Sequence, residues 1–277
     1  MTIFIKSPAK VNLYLDVIGK DPTEDYHLVS TILARVECLS DEITIEPLEG
    51  HFKVIVEVDP ESKYEGPEGE DNICFRIADM LKKEAVRSSI RDDFEKKLTP
   101  VKIVIKKNIP VGAGLGGGSS NAAATLKALN KLWRLNFPLE KLKSIAAKIS
   151  MDSVFFLEGY NYAYATHFGE ILEPLESELK LNFEIIETGV EVLTKWAYEN
   201  IDLEKCRQNK DKARSMVGAL IDGDREKVLE NLHNDFEYLV FEEFPELKDA
   251  AERDCEKNDS KGKILLCGSG GCLVRIS

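Results

Sequence analysis

Residues 110–120 read Pro-Val-Gly-Ala-Gly-Leu-Gly-Gly-Gly-Ser-Ser, with glycine at five of the seven positions from 112 to 118. A plain turn does not require so many glycines, and their conformational entropy argues for a bound ligand. Glycine lets backbone N–H groups approach that ligand closely, and a following helix N-terminus adds unpaired donors and a partial positive charge. The ligand that suits this chemistry is a polyphosphate. Upstream, Val101, Ile103 and Ile105 recur at strand spacing; downstream, 121–133 carries apolar residues at helical spacing, so the run is a strand-to-helix loop.

Other phosphate-binding loops fit less well. A Walker A loop needs Lys-Ser or Lys-Thr after its last glycine, whereas Gly118 is followed by Ser119 and Ser120. Gly112, Gly114 and Gly117 do satisfy the dinucleotide pattern G-x-G-x-x-G. That pattern expects a following strand that ends in an acidic residue, and 138–149 reads as a second helix.

The elements that must hold this loop are of mixed type. Strand-like stretches cover 2–6, 11–17, 31–37, 42–46 and 52–58, and 72–87 is an amphipathic helix with Ile73, Ile77, Met80 and Leu81 on one face and Asp71 available as a cap. Residues 87–97 read as the helix end and a solvated excursion, and 153–166 as strands. After a turn-rich, acidic stretch at 169–179, strands are expected at 183–187 and 263–267 and helices near 211–221, 225–231 and 246–257. Gly268-Ser269-Gly270-Gly271 joins the last two strands. An α+β architecture with a boundary near residue 165 follows, giving domains at 1–165 and 166–277.

A chain of 277 residues with 43% apolar and 31% charged residues has the material for two modest cores. No apolar run approaches the ~20 residues of a membrane span. The formal charge of −12 argues against a nucleic-acid partner, and nothing calls for an obligate protein partner. Six cysteines without a C-x-x-C pair, and no histidines at ligand spacing, indicate neither zinc nor disulfides; His51, His167 and His233 read as structural. With strand pattern starting at once, the expectation is a cytoplasmic protein.

The string Pro-x-x-x-Gly-Leu-Gly-Gly-Gly-Ser-Ser resembles the signature of the GHMP kinases. Ser7-Pro8-Ala9-Lys10-Val11-Asn12-Leu13, followed by Tyr26-His27, is similar to the opening of one family among them, the 4-diphosphocytidyl-2-C-methyl-D-erythritol kinases. Asp71-Asn72-Ile73, Asp152 with its apolar run, Thr194 and Gly268-Ser269-Gly270 follow in that family's order. The resemblance implies the two-lobed GHMP fold, with an N-terminal lobe like domain 2 of ribosomal protein S5, and transfer of the ATP γ-phosphoryl group to the 2-hydroxyl of a cytidyl-diphosphate substrate in the non-mevalonate isoprenoid pathway. Homoserine or mevalonate kinase activity, or a non-catalytic nucleotide-binding role, are the alternatives.

The resemblance makes Lys10 and Asp152 catalytic. It assigns Asn72, Pro110, Gly112, Gly114, Leu115, Gly116, Gly117, Gly118, Ser119 and Ser120 to ATP, with one serine helping to place Mg²⁺, and Asn12, Tyr26, His27, Thr194 and Tyr198 to the substrate. By pattern alone, Lys10 is a strand residue facing away from Val11, Leu13 and Leu15, Asp152 a turn cap, and Ser119 or Ser120 an N-cap. Tyr26 and His27 offer a stacking face and base-edge partners, and Tyr198, with Trp196 as its neighbour, is the second aromatic in reach. Where the family has Gly-x-Asp-Val-Pro-Phe, this chain has Ser150-Met151-Asp152-Ser153-Val154-Phe155; Asp25 and Leu266-Cys267 are further departures.

Overall fold

A computed structural model describes residues 1–88, 98–207, 211–257 and 262–277. The excursion expected at 89–97 lies outside them. The chain forms two compact units that alternate along the sequence: Met1–Ala9, Leu39–Val111 and Gly116–Gly159 make the first, and Lys10–Cys38, Gly112–Leu115 and Tyr160–Ser277 the second. Strands β1 (Ile3–Lys20) and β2 (His27–Pro47) contribute residues to both. Each replaces two separate expected strands. From Ser7 to Val17 every residue is buried, so the in-out alternation that marks a strand in sequence is lost there.

In the first unit β4 (Val101–Lys106) pairs antiparallel with the end of β2, from Glu42↔Lys106 to Pro47↔Val101, and parallel with β3 (Val54–Val58). Ile43, Ile45, Ile103 and Ile105 pack with Ile77 and Leu81 of α1 (Ile73–Ser88) and with Leu126 and Leu129 of α2 (Gly117–Leu132). Leu142 and Ile145 of α3 (Leu139–Ala146) complete this core. Asn72, not Asp71, caps α1: its Oδ1 accepts from the Cys74 N–H at 2.8 Å.

Residues 153–166 are not continuous strand. Asp152–Glu158 forms helix α4, which ends at Gly159 with φ 79°, and only Tyr162–His167 is strand (β5). A short apolar run does not distinguish the two by period; burial of Val154, Phe155 and Leu157 and a left-handed glycine stop decide for helix.

In the second unit β5 pairs antiparallel with the first half of β2, from Val29↔His167 to Ala34↔Tyr162, and β6 (Ile171–Pro174) adds to β5. A separate sheet has the order β7 (Phe183–Ile186), β10 (Leu273–Ile276), β9 (Lys263–Leu266). Helices α5 (Thr194–Asn200), α6 (Asp211–Asp222), α7 (Arg225–Glu230), α8 (Glu237–Glu243) and α9 (Pro245–Lys257) accompany them. Strand β8 (His233–Asn234) runs parallel to β1 with Tyr14↔His233 and Leu15↔Asn234 in register. Leu15, Val17 and Val29 share a core with Phe236, Val240, Leu247, Leu266 and Leu273. No helix among the described residues is long and apolar enough to cross a membrane, and no disulfide joins the six cysteines.

Candidate active site

In the second unit, Lys10 is 5% exposed and donates from Nζ to Asn12 Oδ1 at 2.7 Å; Asn12 Nδ2 donates to Thr31 Oγ1 at 2.8 Å, and Thr31 Oγ1 to the Tyr14 carbonyl at 2.6 Å. Each step of this relay fixes the next. Thr31, whose only proton goes to a carbonyl, must accept from Asn12, and the Asn12 oxygen is thereby turned to the ammonium. Expected on a strand face opposite a buried one, Lys10 and Asn12 are themselves buried.

Residues 112–115 of the glycine loop lie against this relay. The Lys10 N–H donates to the Leu115 carbonyl at 2.9 Å, and Gly271 N to the Gly112 carbonyl at 3.1 Å. Gly114, at φ 75°, meets the 268–271 turn backbone to backbone: a Cβ on Gly114 would overlap the Cys267 carbonyl oxygen. A Cβ on Gly268 would lie 3.5 Å from Lys10 Nζ and 3.4 Å from Asn12 Oδ1. Asn234, buried, holds that turn by donating to the Leu266 and Gly268 carbonyls at 2.9 and 2.7 Å. Two glycine-rich loops thus pack backbone to backbone beside a buried, oriented lysine.

Tyr26 and His27 each have an aromatic neighbour in this unit. Tyr26, half exposed, has Phe168 beside it with ring centroids 5.2 Å apart; His27 has Tyr198 at the same separation. Trp196 instead packs on Phe244. Thr194 opens α5, one turn before Tyr198. Phe168 had no signal in sequence; it is set by a turn in which Glu170 accepts from the Phe168 N–H at 2.9 Å and pairs with His167 at 2.5 Å. Partial burial and the Lys20 charge hold His27 below its ordinary pKa, which favours a neutral imidazole with one donor and one acceptor for a base edge. Tyr26→Ala and His27→Ala are each expected to weaken a cytidyl ligand by about 1–3 kcal/mol, roughly 5- to 150-fold in Kd, with ATP affinity unchanged. Calorimetry with both ligands checks this; equal losses would remove the base assignment.

In the first unit, Gly116 at φ 69° is the N-cap of α2, so Ser119 and Ser120 are residues three and four of the helix rather than caps. Their hydroxyls face neighbours: Ser119 Oγ is 2.6 Å from Ser150 Oγ, and Ser7 Oγ donates to Ser120 Oγ at 2.7 Å. Ser153 Oγ donates to the Ser119 carbonyl at 3.0 Å. The first turns of α2 and α4 are therefore tied together, and Asp152 opens α4 between the two tying serines. Both serines stand at positions where the chain departs from the expected Gly-x-Asp-Val pattern. Ser119, Ser120 and Asp152 supply hard oxygen donors, the set that suits Mg²⁺.

Asp41 and Lys107 are neighbours of the loop that the sequence reading passed over. Asp41, fully buried, accepts from the Asn108 and Ile109 N–H groups at 2.7 and 2.8 Å, from Asn121 Nδ2 at 2.8 Å and from Lys107 Nζ. One carboxylate thus anchors both the entry to the loop around Pro110 and the first turns of α2. Gly117 does not have a positive φ; it is required by closeness, because a Cβ would lie 2.9 Å from Ile109 Cγ2 and 3.4 Å from Lys107 Nζ. Gly118 has ordinary space around it, with Ile73 Cγ2 at 3.8 Å. Gly117→Val is expected to raise the ATP Kd roughly 5- to 150-fold through overpacking of about 1–3 kcal/mol, whereas Gly118→Ala changes it little. Unchanged affinity in folded Gly117→Val would mean the loop does not cradle phosphate. Asn72 has its amide committed to the fold, with Nδ2 donating to the Pro67 carbonyl at 2.6 Å.

Comparison with known proteins identifies the family and the fold. Residues 72–160 match the model of the GHMP kinases N terminal domain. A 4-diphosphocytidyl-2-C-methyl-D-erythritol kinase of Chlorobium phaeobacteroides (strain BS1) is 35% identical over 274 residues, 99% of this chain and 88% of that protein. A crystal structure of 4-(cytidine 5'-diphospho)-2C-methyl-D-erythritol kinase superposes with a TM-score of 0.76 at 28% identity, covering 99% of this chain and 90% of that one. Mevalonate pyrophosphate decarboxylase from Streptococcus pyogenes shares the fold, with a TM-score of 0.71 at 15% identity over 100% of this chain and 89% of that one. With a relative this similar along its whole length, and with two glycine loops set against a lysine relay, the chain belongs to the 4-diphosphocytidyl-2-C-methyl-D-erythritol kinase family.

Proposed function

We propose that this protein is an ATP-dependent kinase that phosphorylates the 2-hydroxyl of 4-diphosphocytidyl-2-C-methyl-D-erythritol, a step toward isoprenoid precursors. The observation that carries this is the 35% identity over 99% of the chain to a kinase of that name. Homoserine and mevalonate kinase activities are not favoured.

In this reading the substrate 2-hydroxyl oxygen attacks the ATP γ-phosphorus, the bond from that phosphorus to the β,γ-bridging oxygen breaks, and ADP leaves. The hydroxyl proton passes to the Asp152 carboxylate. Lys10, aimed by Asn12, stabilises charge on the transferring group. The N–H groups of Gly112–Ser120 and the start of α2 bind phosphate oxygens. Mg²⁺, held by Ser119 or Ser120, supplies neutralisation of phosphate charge when bound. Asn72 serves the adenine side, and Tyr26, His27, Thr194 and Tyr198 the cytidyl group. We place the protein in the cytoplasm, where nucleotide substrates are made.

ATP consumption measured with the cytidyl-diphosphate substrate beside mevalonate and homoserine tests the reading. Turnover with the first alone is expected; turnover with either of the others, or with none, would overturn it.

A further inference from the structure

We propose that Asp16, His233 and Asp235 form a binding site for one divalent transition-metal ion, distinct from the nucleotide loop. The register that pairs Tyr14 with His233, and a bond from the Asp235 N–H to the Leu15 carbonyl at 2.9 Å, bring the three side chains together although 217 residues separate the first two. One ligand atom from each lies within 4.8 Å of the others. His233 Nε2 is 2.9 Å from Asp235 Oδ1 and 3.3 Å from Asp16 Oδ1. Donors bound at about 2.0–2.2 Å around a tetrahedral ion stand roughly 3.3 Å apart, a spacing that small side-chain shifts of these three groups would reach.

A second observation points to a missing partner. Asp16 is 3% exposed, and its buried Oδ1 has no well-formed hydrogen bond, only the long approach of His233 Nε2 at 3.3 Å. Between His233 Nε2 and Asp235 Oδ1 a proton now bridges at 2.9 Å, and the Asp235 carboxylate also accepts from the Val17 N–H at 2.8 Å and the Arg207 N–H at 3.2 Å; a bound ion takes the place of the Nε2 proton, which is released to solvent. A buried carboxylate oxygen left in this state is costly, and a cation satisfies it. Asp16 also lines a cavity of about 430 Å³ with Ser30, Tyr164, Glu173, Arg207 and Arg214, which offers an entry path and room for water ligands. Two carboxylates balance a divalent charge despite the two arginines on the cavity wall, and a mixed imidazole and carboxylate set suits an ion such as Zn²⁺ better than Mg²⁺. Sequence spacing gave no sign of it, because the ligands come from distant strands. Between His233 and Asp235, Asn234 holds the Gly268 turn. The ion would thus tie the strand that carries Lys10 to the strand that sets that turn.

The competing arrangement is an imidazolium between two carboxylates: burial alone lowers the His233 pKa, but Asp16 and Asp235 outweigh it and push it up to about 9. Titration calorimetry of nucleotide-free protein with Zn²⁺ in excess Mg²⁺ separates the two. One Zn²⁺ per chain is expected, weakened roughly tenfold or more in Asp16→Asn and in His233→Gln. The exposed-thiol variants Cys38→Ser and Cys255→Ser should bind as the parent does. Circular dichroism verifies that each variant is folded, and crystals of the unaltered protein soaked in Zn²⁺ should show an anomalous peak among the three side chains. No stoichiometric uptake, uptake that survives both site variants, or uptake lost with the thiols would each overturn the site.

Discussion

Asp152→Asn should lower kcat by roughly 10²–10⁴-fold and leave the affinities for ATP and the cytidyl substrate nearly unchanged. The amide keeps the size of the carboxylate and its place at the start of α4 but cannot take the hydroxyl proton. The Ser153 bond to the Ser119 carbonyl does not involve the Asp152 side chain, so the turn that presents it should survive. Lys10→Met should lower kcat by roughly 10²–10³-fold, since it removes one preorganised donor while keeping the buried hydrocarbon stem. Asn12 then loses the ammonium that its Oδ1 accepts from, so a modest loss of stability should accompany the kinetic one. Rapid-quench measurement of the chemical step, with binding measured separately, checks both. Undiminished turnover in Asp152→Asn would end its assignment as base.

The largest effect on stability is expected from Asp41→Ala. This change leaves Lys107 buried without its partner and strips acceptors from the Asn108 and Ile109 N–H groups and from Asn121. Breaking a buried ion pair from one side costs about 3–5 kcal/mol, which corresponds to a fall in Tm of roughly 6–20 °C. Removing both charges, in Asp41→Ala with Lys107→Met, should restore part of that loss, because the residual penalty is then only the unpaired amides. A double-mutant cycle read by thermal melting distinguishes this from simple cavity formation, for which the two losses would add.

Much of the fold was legible because its longer elements punctuate themselves. The strand at 101–106, the glycine loop and the helix after it each carry an unmistakable period or composition, and the second-unit helices near 211, 225 and 246 do too. Some of the short elements, α5, α8, β6 and β8, span too few periods to register, whereas equally short ones such as α7, β7 and β9 stood out by their apolar residues. The 153–166 stretch was misread for the same reason, since Val154, Phe155 and Phe156 are strong strand formers that tertiary burial places in a helix. Site residues with a motif could be named beforehand. Asp41, Phe168 and Asn234 could not, because each acts by satisfying backbone groups or packing rings far away in sequence.

The hydroxyls of Ser150 and Ser153 both reach Ser119, and they occupy two of the positions at which the chain leaves its family's usual wording. Counted position by position, they look like independent erosion of a catalytic loop. Their common partner couples them: the turn before α4 is held by two side-chain bonds to the helix behind it. Effects of Ser150→Gly and Ser153→Val are therefore not expected to add, since either change alone leaves Ser119 held by the other serine.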